Sequence, residues 1–534
     1  MEHLEQRQKI IIMLAIMAAM LFAALNQTIV GTALPVIVAD IGGMDYFSWV
    51  FTIYMLTTSI TAILVGKLSD TYGRKPFILV GIGIFIIGSF MCGTSTNIYQ
   101  LIIYRGFQGF GGGMIMSTAF TAVGDLFPPR ERGRWQGLLS SVFGLASVFG
   151  PTMGGYIVDV WQWNWVFWIF LPFGIVAFAM IWKLFPNVTT DEKASVDFVG
   201  AVLLSSAIIP LLLAFSWAGK TYAWDSVTII GLFTWSVIAL VLFITVERKA
   251  KNPIIPLKLF KNSIFTISNV GGLLMGMGMF GAIMYMPFFI QGVLGISATK
   301  TGFVMMSMML SMVTTSTIGG QLVTKTGRYK IFAIVGLLTM GAGMYSMSTM
   351  TIDTTLTGAV INLVIVGLGL GLTFPVLTLA VQNAVEHKYL GVATSASQFF
   401  RQVGGTIGVS VMGAIMNVVM ANKMEEMMAS SGGATANLGN LQAMEDPQVL
   451  MDPDKVAQVK ESVPPEAVPM FEQVIASMRE ILSTALSGSF LFGTFILGGA
   501  FLIIIFLKEI PLRMTNETPE SKVETPLESS KASS

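Results

Sequence analysis

The sequence predicts an all-α membrane protein of fourteen spanning helices, and three observations carry that expectation. Of 534 residues, 54% are hydrophobic and 11% charged, against about 25% charged in soluble domains. No aqueous globule has an interior large enough for that much apolar surface, so lipid is the solvent for most of the chain. The apolar residues fall in continuous runs of about 20, the length that crosses a bilayer. They do not alternate as in a barrel strand, which leaves helices as the spanning form. Lysine and arginine crowd into every second connection between runs, the bias that marks the cytoplasmic side.

The first eight runs lie near 11–33, 47–66, 76–95, 99–122, 135–157, 164–182, 198–217 and 226–246. Six more follow near 264–290, 301–323, 331–350, 357–381, 392–419 and 485–507. The first, within Ile10 to Ala39, is too long for a signal-peptide core and lacks an A-x-A-like site, so it reads as a retained span. Lys67, Arg74 and Lys75 follow span two; Arg130, Arg132 and Arg134 follow span four; Lys183 and Lys193 follow span six. Arg248, Lys249, Lys251, Lys258 and Lys261 follow span eight; Lys325, Arg328 and Lys330 follow span ten; Lys388 follows span twelve. The short connections after odd-numbered spans hold only Lys220 and Lys300. Both termini are therefore expected in the cytoplasm, as an even span count requires.

Two segments are expected outside the membrane. Residues 421–483 read as an extracytoplasmic loop, with a helical apolar pattern at Phe471, Val474, Ile475, Met478, Ile481 and Leu482 after Pro464 and Pro465. That pattern suits a surface helix at the membrane face or the outer mouth, or a gating element. The tail from Thr515 is rich in Ser, Thr, Glu, Lys and Pro and is expected to be disordered.

Composition also excludes. A net charge of +1 points to no nucleic-acid partner. The single Cys92 allows no intrachain disulfide, and His3 and His387 are too few and too far apart for a histidine-rich metal site. No G-x-x-x-x-G-K-[ST] loop is present for ATP, and no nucleophile, base and orienting group can be placed together, so neither an ATP-driven pump nor an enzyme is expected. No cofactor is expected beyond a coupling proton. A weak repeat relates Gly66-Lys-Leu-Ser-Asp70-Thr-Tyr-Gly73-Arg74-Lys75, after span two, to Gly320-Gln-Leu-Val-Thr-Lys325-Thr-Gly327-Arg328-Tyr-Lys330, after span ten. It divides the chain into a six-helix bundle over 1–190, two inserted helices over 191–260, a second six-helix bundle over 261–510 and a tail over 511–534. Repeats of this kind place a substrate site between the halves near the midplane.

Four motifs carry a family resemblance. Gly66, Asp70, Gly73, Arg74 and Lys75 form a G-x-x-x-D-x-x-G-R-K loop, with Asp70 at a helix end beside Arg74 and Lys75. Span four reads Leu101-Ile-Ile-Tyr-Arg105-Gly106-Phe-Gln108-Gly109-Phe-Gly111-Gly112. An arginine within an apolar helix costs several kcal/mol, so it faces the bundle interior and needs a partner. Span five reads Gly144-Leu-Ala-Ser-Val-Phe-Gly150-Pro151-Thr-Met-Gly154-Gly155, a small-residue groove bent at Pro151. Span one reads Leu25-Asn26-Gln-Thr28-Ile-Val-Gly-Thr-Ala33-Leu34-Pro35.

With these motifs the whole chain resembles the major facilitator superfamily, and within it the fourteen-span branch of drug:proton antiporters. The resemblance implies a cytoplasmic latch at Gly66–Lys75, a role for Arg105 in proton coupling or cavity electrostatics, and export from the Gly144–Gly155 motif. Each has a plainer counterpart: a positive-inside loop, a structural arginine bonded to carbonyls or polar side chains, and a generic packing face. The sequence departs from the branch where its usual aspartate is Asn26, which cannot titrate but can hydrogen-bond Arg105 or a ligand, and at Asn164, where an arginine is usual. Span thirteen adds a second interior arginine in Ser397-Gln398-Phe-Phe-Arg401-Gln402.

The acids left to carry a proton lie near helix ends: Asp40, Asp70, Asp125, Asp159 and Glu386. Asp70, Asp125 and Arg134 are expected to form one inner-gate network, loosened by protonation of either acid or serving as a purely structural charge cluster. Without a midplane carboxylate, and with 36 Met, 37 Phe and 10 Trp, the interior suits neutral, zwitterionic or anionic amphiphiles rather than dications. The expected protein is a monomeric, multi-pass plasma-membrane exporter of bacterial type. A lipid or glycolipid flippase on the same fold is the alternative, and an uptake symporter is disfavoured by the span-five motif.

Overall fold

The computed structural model describes residues 5–41, 47–186, 197–219, 222–250, 253–296, 298–430, 460 and 468–511. The helices of the first half are α1 (Gln6–Ile41), α2 (Phe47–Tyr72), α3 (Arg74–Gly93), α4 (Ile98–Leu126), α5 (Pro129–Val160), α6 (Trp165–Trp168) and α7 (Leu171–Leu184). Then come α8 (Phe198–Trp217) and α9 (Val227–Glu247), followed by α10 (Ser263–Phe288), α11 (Ala298–Thr326), α12 (Lys330–Ser348), α13 (Leu356–Ala384), α14 (Leu390–Ser430) and α15 (Val468–Ile505). Helices stand at all fourteen expected positions, since α6 and α7 share one apolar stretch, Trp165–Leu184. Pro172 at the start of α7 supplies no backbone N–H to the preceding turn and separates the two pieces. Among the described residues eleven helices are long and apolar enough to cross a membrane, and the apolar part of α8, Val199–Phe215, is shorter.

Three apolar clusters organise the packing. One gathers α1, α3, α4, α5 and α7 around Phe22, Phe85 and Phe167. A second gathers α10, α11, α12, α13 and α15 around Phe289, Met340 and Phe490. The third joins the inserted pair to both halves, with Leu204 and Phe243 against Leu56 of α2, Phe265 of α10 and Val392 of α14. Helices of the two halves touch along α2–α14, α4–α14, α5–α11 and α5–α13.

The segment 421–483 differs from expectation. Helix α14 continues to Ser430, and α15 begins at Val468 and runs unbroken into the last span. Phe471, Ile475, Met478, Ile481 and Leu482 are therefore not a separate surface helix. They are the first turns of α15, all buried, and most belong to the second apolar cluster. The periodicity was that of a helix packed on protein, and protein and lipid reward the same apolar stripe. The tail from Thr515 lies outside the described residues.

Candidate functional site

Arg105 is fully buried on α4. Its Nη1 donates to Gln108 Oε1 at 2.7 Å and to Asn26 Oδ1 at 3.2 Å, and its Nε reaches the Val50 carbonyl at 3.5 Å. The guanidinium carbon lies 4.2 Å from the centre of the Tyr54 ring, a cation–π contact that counts for most where water is excluded. Gln108 Nε2 donates in turn to Asn26 Oδ1 at 3.0 Å and Ser89 Oγ at 2.6 Å. The spacing Arg105 to Gln108 puts both side chains on one helix face, and α1, α2 and α3 supply the remaining acceptors. Two donors stay unmet: Arg105 Nη2 and Asn26 Nδ2 are buried without a partner. The knot is a cation among amides, hydroxyl and ring, with an unused capacity to donate.

Arg401, half-buried on α14, stands 3.8 Å from the centre of the Phe374 ring. No described residue offers it a carboxylate. The expected partner is thus an aromatic face instead of an anion. The Phe374 ring also lies 6.3 Å from that of Phe120 of α4, tilted by 54°, so this cation sits at the seam between the halves. Nearby in sequence, Gln402 Nε2 approaches Met55 Sδ of α2 at 3.4 Å, and Gln27 Nε2 of α1 approaches the same sulfur at 3.7 Å.

The Gly66–Lys75 loop builds a charge cluster at the basic end. Arg74 is its hub: Nε donates to Asp125 Oδ2 at 2.8 Å, Nη1 to Ser69 Oγ at 2.6 Å and Nη2 to Asp70 Oδ1. Asp70 reaches across to the other half and accepts the Gly391 and Val392 N–H groups at 2.9 and 3.0 Å. These are first-turn amides of α14, where unpaired donors and the helix dipole favour an anion. Gly73, at φ 87°, turns the chain from α2 into α3 so that Arg74 can fold back. A Cβ at Gly66 would lie 2.7 Å from Ser395 Cβ and 2.8 Å from the Gly391 carbonyl oxygen, so only glycine lets α2 and α14 approach this closely.

The seam continues with small polar pairs. Ser117 and Ser395 hydroxyls meet at 2.6 Å, Ser141 and Thr317 at 3.0 Å, and Gln136 Nε2 donates to Gln382 Oε1 at 3.2 Å. Backbones of α5 and α11 meet at Gly133 and Gly320, where a Cβ on Gly133 would fall 2.9 Å from the Gly320 carbonyl oxygen and one on Gly320 would lie 2.9 Å from the Gly133 carbonyl carbon.

The span-five motif divides its contacts. A Cβ at Gly144 would meet Val313 of α11 at 2.5 Å, while one at Gly150 would lie 2.7 Å from Thr28 Cβ. Thr28 Oγ1 fills that notch and donates to the Ala146 carbonyl at 2.9 Å. The span-one and span-five motifs are therefore one packing unit, a relation the linear sequence does not show. Gly154 is buried, and the surroundings of Pro151 and Gly155 lie outside the described residues.

One expected member is absent from this cluster. Arg134 is exposed and makes none of these bonds; Arg74 takes the place expected for it. Position 134 falls on the outward side of α5, while Arg132, two residues earlier, is buried and donates to the Gly124 and Phe127 carbonyls at 2.7 and 3.1 Å. Lys75 is half-buried beside the cluster. Of the other acids, Asp40 accepts from Trp163 Nε1 at 2.7 Å, and Glu386 is exposed and paired with Lys388 at 2.6 Å. The Lys388 hydrogen bond holds the Glu386 carboxyl below the usual carboxylate range, the opposite of a raised proton carrier. The side chain of Asp159 lies outside the described residues. Asn164 donates to the Gly93 carbonyl at 2.6 Å, a neutral tie where an arginine was usual.

Tyr54, Ser89, Met55 and Phe374 were not anticipated. Ser89 left a signal as a hydroxyl in an otherwise apolar stretch of span three, whereas nothing distinguishes Phe374 among 37 phenylalanines.

Comparison with known proteins follows the same lines. A family model described as Major Facilitator Superfamily matches residues 16–409. The multidrug transporter protein MdtP of Bacillus subtilis is 40% identical over 532 residues, covering 97% of this chain and 96% of the relative. Multidrug resistance protein 3 of the same organism is 37% identical, covering 85% and 88%. Among solved structures, the proton:xylose symporter XylE superposes with a TM-score of 0.60 at 12% identity, covering 96% of this chain and 99% of that one. The human organic anion transporter MFSD10 gives 0.58 at 15% identity, covering 92% and 99%. These two speak for the fold alone. With a family model across most of its length and full-length relatives of this similarity, the chain belongs to the Major Facilitator Superfamily.

Proposed function

We propose that the protein exports drug-like amphiphilic compounds in exchange for protons, by exposing a site between its halves to each side of the membrane in turn. The seam at the basic end carries this reading. Beside apolar packing such as Leu390 on Gly124, the seam is held by glycine backbones, hydroxyls, amides and one acid–cation–acid cluster. Such contacts can break and be re-formed without baring a large apolar face, as a bistable joint between rigid bodies requires. The names of the full-length relatives favour drugs as cargo. The basic end is the cytoplasmic one by the lysine and arginine bias, so this arrangement has its cytoplasmic gate shut.

The interior charges bear on cargo and coupling. Arg401 faces a ring and no acid, and Arg105 and Asn26 keep unmet donors. A neutral, zwitterionic or anionic amphiphile can accept from such groups, whereas a dication meets only repulsion. Asn26 cannot titrate. Asp70 and Asp125 both pair with Arg74, and protonating either removes one of its counter-charges and loosens the gate. The test is efflux from expressing cells against a broad compound panel, with and without an uncoupler. Uncoupler-sensitive efflux of neutral and anionic amphiphiles is expected. Efflux indifferent to the uncoupler, or stronger resistance to divalent cations than to neutral compounds, overturns the proposal. Vesicles carrying Asp70→Asn and Asp125→Asn together that still release protons on substrate addition remove these acids from the coupling step.

A further inference from the structure

Away from the gate, a cavity of about 1020 Å³ opens at the basic end between the inserted helices and the second half. That is the upper end of the range for small-ligand sites, about 300–1,000 Å³. Its inner wall is apolar, formed in part by Phe243, Ile244 and Phe399. Leu240 lines it and is 45% exposed, and its α9 neighbours Val237 and Val241, which do not line the cavity, are 60% and 55% exposed, so the apolar wall runs out onto an exposed apolar face of a spanning helix. Its rim carries four cations, Lys67, Arg248, Lys258 and Lys261. The Lys258 ammonium lies 4.6 Å from the centre of the Tyr389 ring, held at the mouth. Among the described lining residues the one carboxylate is Glu247, which is buried and accepts the Ile255 N–H at 2.7 Å through one oxygen.

We propose that this groove holds one anionic glycerophospholipid, its phosphate among the rim cations and an acyl chain along Leu240 and Phe243. The match is of charge and of depth. Basic residues at a membrane boundary attract anionic headgroups, and basic pockets between spanning helices bind them. A water-soluble anion would have no use for the apolar wall, and a lipid without net charge would have none for the rim. By wedging between α9 and α14, the lipid would tie the inserted pair to the second half. The proposal does not depend on what the protein exports.

Native mass spectrometry of the full-length protein in mild detergent tests it, with phosphatidylglycerol, phosphatidylcholine or inorganic phosphate added. One phosphatidylglycerol per chain is expected, with phosphatidylcholine held far more weakly and millimolar phosphate unable to displace the lipid. Lys258→Gln with Lys261→Gln is expected to weaken phosphatidylglycerol roughly 30-fold, from the attraction two basic residues exert on anionic lipid. Lys258→Arg with Lys261→Arg is expected to retain it. Equal binding of phosphatidylcholine, displacement by phosphate alone, or unchanged affinity in the glutamine variant overturns the proposal. The wild-type arms decide the matter by themselves if the glutamine variant does not fold.

Discussion

At the scale of single residues the interior is organised by cations that lack acids. Arg105 is held by Asn26, Gln108, a carbonyl and the Tyr54 ring, with Nη2 left unmet, and each neutral partner is weaker than a carboxylate would be. Asn26→Asp gives the guanidinium a charged acceptor and removes the unmet Nδ2 donor. The variant is expected to be more stable by about 1–2 kcal/mol, the difference between charged and neutral hydrogen bonds, seen as a higher melting temperature in detergent. It is also expected to tolerate cationic cargo better. Arg401, by contrast, faces the seam with a ring for company. Arg401→Gln is expected to depress efflux of anionic amphiphiles about tenfold more than that of neutral ones, a difference of about 1.4 kcal/mol, measured side by side in the same vesicles. Equal losses for both classes would make Arg401 a structural residue. The positions of both arginines were legible in the sequence because an arginine in an apolar run is conspicuous. Their partners were not, because a phenylalanine or a serine in a membrane helix carries no mark of what it touches.

The helices show where hydropathy reads well and where it stops. Every expected span has its helix, since in lipid a backbone has almost no other way to satisfy its hydrogen bonds. The reading faltered at α15, where the apolar stripe continues past the bilayer length onto protein. It did not place Arg132 and Arg134 on their separate faces. Glycines were legible as a class but not by role, and the structure now separates them. Gly66 sits against Ser395 and Gly391, whereas nothing lies within 4 Å of a Cβ built at Gly83. Gly66→Ala is therefore expected to push α2 from α14 and cost the gate-closed state about 1–3 kcal/mol, the usual penalty of overpacking. Spin-label distances across the basic end would report the opening. Gly83→Ala is expected to leave those distances unchanged and to add up to about 1 kcal/mol of helix propensity.

For the whole molecule, the repeat at Gly66 and Gly320 marked two places where helices meet closely. The repeat could not say that Gly320 would meet Gly133 on α5 while Gly66 met α14. Loops of similar sequence serve different contacts because only one of them carries the acid that reaches a helix end. The Ser117–Ser395 contact offers a direct test of the seam as a moving joint. Hydroxyls this close lie in reach of a disulfide once replaced, and the only native thiol, Cys92, is buried. Ser117→Cys with Ser395→Cys is expected to abolish efflux on oxidation and recover it on reduction. Efflux that survives the cross-link would mean that the halves need not part at the basic end.

The bonds from Gly391 and Val392 to Asp70 have one more consequence. The capping group of α14 is owned by another helix of the opposite half, so opening the gate strips the first turn of α14 of its acceptor. Deuterium uptake at those two amides thus becomes a built-in counter of gate openings. It should quicken in Asp70→Asn and slow sharply in the oxidised cysteine pair.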